Sequence, residues 1–144
     1  MTIRIASLAA IVAGGMLLAA PAYAEVLNFR ADLTGANEVP ANDSAGAGVL
    51  EATFDTDSME FTWMVTYDGL TGDATAAHFH GPAGPDANAG PVVPIEGDLA
   101  SPIEGSATLT EEQGAQLMDG MWYFNVHTAA HPDGEIRGQL LVPQ

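Results

Sequence analysis

Short segments in which apolar and polar residues alternate, cut repeatedly by Gly, Pro, Asn and Asp, restrict this chain to an antiparallel β-sandwich or barrel. Phe61, Trp63, Val65 and Tyr67 stand two apart, so a strand carries all four on one face and predicts that they line the core. Residues 26–33, 48–54, 74–80 and 106–109 read as further strands, with the polar run 55–58 as a turn and 35–48 as a loop of small and polar residues. Residues 122–127 and 135–142 predict a terminal hairpin that turns at Pro132, Asp133 and Gly134. Between Gly81 and Pro91 there is too much Gly and Pro for a ladder, which predicts a long surface loop. One helical excursion is expected, with Thr110 as its N-cap, Glu111 and Glu112 in an acidic first turn, and an end near Gly120.

The first 24 residues combine Arg4, an apolar run and Ala22-Tyr23-Ala24, the layout of an export leader cleaved near Ala24. The apolar run is too short for a spanning helix, and no later segment approaches the roughly 20 apolar residues a bilayer requires. The expected destination is periplasmic or secreted. Residues 25–144 then form one domain of ordinary size. With no Cys, stability there must come from packing and strand pairing, and any metal ligands must be His, Met, carboxylate or backbone groups.

After Ala24 two arginines, Arg30 and Arg137, face 19 carboxylates, a formal charge of −17. Such a field repels nucleic-acid phosphates and anionic lipid surfaces and leaves cations as the charged partners. The same acidity also serves solubility alone. No Ser stands in a G-x-S-x-G elbow and no phosphate-cradling Gly loop is present, so hydrolase and nucleotide-binding readings have no support.

The triplet His78-Phe79-His80 carries the chemistry. Residues two apart on a strand point the same way, with Cα atoms about 6.6 Å apart, so both imidazoles reach a common metal. His127 shares a strand face with Tyr123 and Asn125, opposite Trp122, Phe124 and Val126, and strand pairing brings a third ring alongside. Two or three imidazoles suit zinc or copper, and His131 is a possible fourth ligand from the hairpin loop. The alternative is that these histidines hydrogen-bond backbone groups at loop junctions. Arg137 alternates with Glu135 and Gln139, and a structural ion pair with Glu135 or with Glu38 is expected. Asp86 and Asn88 offer oxygens to calcium without the EF-hand's later ligands. Met118 and Met121, beside Leu117 and Trp122, read as core.

Three stretches resemble the CHRD domain, the module named from chordin. They are Leu33-Thr-Gly-Ala-Asn-Glu-Val-Pro40, Ala77-His-Phe-His-Gly-Pro-Ala83, and Tyr123-Phe-Asn-Val-His-Thr128 followed by Pro132-Asp-Gly-Glu-Ile-Arg-Gly-Gln139. The family pattern has His at the places of His78, His80 and His127, while His131 falls where other residues are tolerated. The resemblance implies an all-β fold, a Greek-key or immunoglobulin-like antiparallel sandwich. It brings no established activity, and chordin's own partner does not transfer with a shared domain. Copper/zinc superoxide dismutases are similar more loosely, through an H-x-H strand, a later His and then an Arg. The disulfide cysteines, bridging His and electropositive funnel of those enzymes have no counterpart here. Three readings follow: an exported, non-enzymatic binding domain holding copper or zinc at the histidines, a metal-free envelope module meeting a protein partner, and a dismutase-like copper redox protein.

Overall fold

A computed structural model describes residues 25–143; the leader expected over residues 1–24 lies outside the described residues. The strands are β1 (Val26–Thr34), β2 (Ala47–Asp55), β3 (Glu60–Asp68), β4 (Ala74–His80), β5 (Pro91–Pro94), β6 (Ile103–Thr108), β7 (Tyr123–Thr128) and β8 (Ile136–Gln139). A helix, α1 (Glu111–Met118), separates β6 from β7. Every pairing is antiparallel, in the spatial order β5-β4-β7-β8-β1-β2-β3-β6.

This order departs from chain order. After β3 the chain crosses to pair β4 with β7, returns to lay β6 beside β3, and crosses again, as Greek-key connections do. The sheet is continuous but narrow at its waist, where β1 meets β8 through Thr34 and Arg137 and through a bridge from Arg30 to Leu141. Around that waist the two halves fold face to face. Phe61 and Trp63 of β3 lie edge-on to Phe79 of β4 at 5.1 and 5.0 Å, and Trp122 closes on Phe61 at 5.9 Å. The expected sandwich-like all-β fold with one short helix is what forms, because the inward-facing residues of each half have no other apolar surface to meet.

Local chemistry sets the ends of the elements. The Asp55 carboxylate accepts from the backbone N–H of Asp57 and Ser58 at 2.9 and 3.0 Å, closing the β2–β3 turn. Thr110 and Gln113 form a reciprocal capping box at the start of α1, and Gly120 takes a left-handed φ of 70° just beyond its end. Phe61, Trp63 and Val65 are buried as expected, while Tyr67 is half-buried and its hydroxyl donates to the Leu99 carbonyl.

Two expectations need correction. Met118 and Met121 are 47% and 37% exposed rather than core. On a helix this short Leu117 takes the inward position, and the next residue points about 100° away. The Gly/Pro run also ends in a strand, β5, despite its two prolines. It lies at the edge of the sheet, where a missing N–H costs no ladder bond.

Candidate metal centre

His78 and His80 project from the outer face of β4. The neighbouring strand β7 sets His80 opposite Tyr123 and His78 opposite Asn125, with His127 one step further on, opposite Ala76. His127 is therefore diagonal to His78, within reach of a long side chain. Ring centroids stand 5.0 Å apart for His78 and His127 and 5.4 Å apart for His78 and His80. One ligand atom from each of the three side chains lies within 4.8 Å of the other two.

Hydrogen bonds settle which nitrogen faces inward. The His80 Nδ1 lies 2.9 Å from the Ala89 carbonyl, and the His127 Nδ1 lies 2.9 Å from the Pro132 carbonyl. A carbonyl only accepts, so each Nδ1 carries a proton, and in the neutral ring Nε2 keeps the lone pair. The His127 Nε2 then accepts from the His78 Nδ1 at 3.2 Å. The His80 Nε2 is buried and has no hydrogen-bond partner, an arrangement that native structures rarely leave unexplained. A tetrahedral ion with metal–nitrogen bonds of about 2.0–2.1 Å needs its ligand nitrogens about 3.3 Å apart. His78 Nδ1 and His127 Nε2 already have nearly that spacing, and an ion there requires the His78 proton to move to its Nε2.

His80 and His127 are 8% and 9% exposed, and His78 is half-buried. Burial lowers the pKa of His78, with His127 and His80 adding to the shift. Burial likewise lowers that of His80, opposed by its bond to Ala89 and by the nearby Asn125 side chain, whose Oδ1 makes no hydrogen bond of its own. Neutral imidazole is the form a metal requires. His131 is not part of the group; its backbone closes the β7–β8 turn with Thr128 instead.

Arg137 and its two expected carboxylate partners are all buried under the same loops, but the ion pair does not form. Among the described residues the guanidinium donates to neutral oxygens: Asn88 Oδ1 at 2.8 Å, the Ala87 carbonyl at 2.7 Å and the Gly84 carbonyl at 3.2 Å. Glu135 precedes β8 and sits in a bend, so strand alternation does not direct its side chain. Its carboxylate accepts from the Ser44 hydroxyl at 2.6 Å, the Thr71 N–H at 2.8 Å, the Thr71 hydroxyl at 2.7 Å and the Thr128 hydroxyl at 2.5 Å. Burial works to raise this carboxyl, yet the Ser44, Thr128 and Thr71 donors bring it down to about 2. Glu38 takes one bond from Asn125 Nδ2 at 3.4 Å, and burial holds it up at about 7 against the pull of Asn125 and Arg137. Gly134 passes so close that a Cβ there would meet Glu38 Oε1 at 2.3 Å, and its φ of 133° also favours glycine.

A sequence model of the CHRD domain matches residues 29–140. The chain belongs to the CHRD domain family. No curated protein and no solved structure matches it. The matched span contains β2 to β8 and so carries all three clustered histidines, Glu38, Tyr123 and Arg137 of this CHRD domain. Among the described residues no helix is long and apolar enough to cross a membrane.

Sequence reasoning placed His78, His80 and His127 together but did not assign Tyr123 a role. The Tyr123 ring stacks on His80 at 4.8 Å with 2° between planes, and the Arg137 guanidinium carbon lies 3.5 Å from its centre. The available signal was the alternation of Tyr123, Asn125 and His127 on one strand face. Asn88, first considered for calcium, binds Arg137 and donates to the Val39 carbonyl.

Proposed function

We propose that this CHRD domain is an exported, non-enzymatic protein that holds one copper or zinc ion on His78, His80 and His127. The supporting observation is the buried, unpartnered Nε2 of His80 beside two other imidazole nitrogens. Two of those rings have their outer nitrogens held by backbone carbonyls, the arrangement that orients metal-ligating histidines. The formal charge of −17 on residues 25–144 draws cations toward the surface. Half-exposure of His78 leaves one side of the site open, which suits storage or delivery of an ion. The leader pattern of residues 1–24 supports export to the periplasm or beyond the cell.

Titrating chelator-stripped protein with copper and with zinc tests this reading. About one ion per chain is expected, lost in a folded His80→Ala variant. Unchanged stoichiometry in that variant, or no specific uptake by the wild type, rejects it.

A second reading is a metal-free envelope module that meets a protein partner. The direct His78–His127 hydrogen bond favours it, because that bond and the two carbonyl contacts engage four ring nitrogens and satisfy both nitrogens of His127 without an ion. Chelator then leaves the melting temperature unchanged. A dismutase-like copper role has less support, since an anionic substrate would approach a strongly negative surface.

A further inference from the structure

Arg137 is 1% exposed and makes no ion pair among the described residues. Its charge is met by three neutral oxygens and the Tyr123 ring, with Glu38 and Asp86 acting without contact, and a guanidinium buried without a contacting carboxylate points to its directional hydrogen bonds as its role. All of its side-chain hydrogen bonds go to one segment, residues 84–88, which has no strand pairing. Asn88 ties the same segment to Val39 at 2.7 Å. Ala89, the next residue, exchanges bonds with the Tyr123 hydroxyl through both its N–H and its carbonyl at 3.1 Å. That carbonyl also accepts from the His80 Nδ1. Because β7 lies between β4 and β8, His80 and Arg137 approach Tyr123 from opposite sides.

We propose that Arg137 and Tyr123 are positioning residues of the histidine site, holding segment 84–89 so that the Ala89 carbonyl keeps His80 in its Nδ1–H form with Nε2 free for an ion. This role serves the metal site proposed above, but the tautomer it enforces exists with or without an ion. Loss of such an outer-shell partner typically lowers metal affinity about 10- to 100-fold.

Nitrogen NMR of the imidazoles in chelator-stripped wild type, Arg137→Gln and Tyr123→Phe, followed by zinc titration of each, tests the role. The wild type should show His80 as the Nδ1–H tautomer alone. Both variants should show a mixture at His80 and bind zinc about 10- to 100-fold more weakly, while His127, held by Pro132, keeps its tautomer. Folded variants with an unchanged His80 tautomer overturn the proposal, whatever their zinc affinity. A wild type that takes no zinc, with variants that nevertheless show mixed His80 tautomers, upholds the positioning role and rejects the metal site instead. If Arg137→Gln does not fold, Tyr123→Phe decides, since it removes one hydroxyl and keeps the ring.

Discussion

On β3, Phe61, Trp63 and Val65 are buried while Glu60, Met64, Thr66 and Asp68 are exposed, whereas on β7 all six residues from Tyr123 to Thr128 are buried. Both strands have an apolar face toward the same core. They differ in what covers the other face. Outside β2 and β3 there is solvent, and the cross-strand partners are Thr53 with Thr62 and Arg30 with Glu51. Outside β7 and β8 the loops around residues 35–46, 84–89 and 128–135 form a roof, and beneath it lie Glu38, His80, Asn125, His127, Glu135 and Arg137. A polar layer that is denied water must find partners within the protein. The site arises where that demand is not fully met, leaving the His80 Nε2, the Asn125 Oδ1 and the Gln139 Oε1 unpaired.

The sharpest test of this contrast runs along β4, where Phe79 faces the core and His80 the roof. Phe79 touches Phe61, Trp63, Trp122 and Phe124, and Phe79→Ala should lower unfolding free energy by about 3–5 kcal/mol. Urea denaturation of Phe79→Ala and of His80→Ala measures both faces. Equal losses would show that the roofed layer is as much a core as the apolar one and would erase the distinction.

Next in size are the two buried carboxyls, which should respond to pH in opposite directions. The folded pKa of Glu135, about 2, lies below its ordinary 4.5, so its stabilisation is present above pH 4.5 and is lost as pH falls through about 2. Glu135→Gln should cost about 3 kcal/mol at pH 7, the equivalent of that shift, and little near pH 2. Melting curves from pH 2 to 7 read this directly, and a cost that does not vary with pH would assign Glu135 a purely steric role.

Glu38 is the smaller effect and has the opposite sign. Its folded pKa of about 7 lies above 4.5, so its contribution is fully present below pH 4.5 and is lost as pH rises through about 7. Glu38→Gln should therefore stabilise the fold at pH 8 relative to pH 4, by about 2 kcal/mol after allowing for relaxation around the charged form. Thermal melts of variant and wild type at the two pH values suffice, and a variant that loses stability relative to wild type between pH 4 and pH 8 would mean that Arg137 governs Glu38 more strongly than burial does.

What could be read from the sequence follows the same division. In the open half β1, β2 and β3 were legible to within a residue at each end, since alternation and turn residues act over a few positions, while β6 begins at Ile103, three residues before the expected start. The Thr110 cap and the Gly120 stop were legible for the same reason. In the roofed half the strands were visible but their partners were not. The ion pair expected of Arg137 failed because nothing local indicates that the loop carbonyls at 84 and 87 reach it first. Prolines concealed β5, because only its place at the sheet edge makes them acceptable.

The sequence by itself determined the β class, the helix and its cap, the family, and the shared strand face of His78 and His80, all of which depend on residue period or local motif. Tertiary structure alone decided that β7 lies between β4 and β8, that His127 meets His78 across 49 residues, and that backbone carbonyls choose the tautomers of His80 and His127. Those outcomes depend on register between distant strands and on loop backbone held from the side. Both are set by how the whole sheet packs, and no short stretch of sequence encodes them.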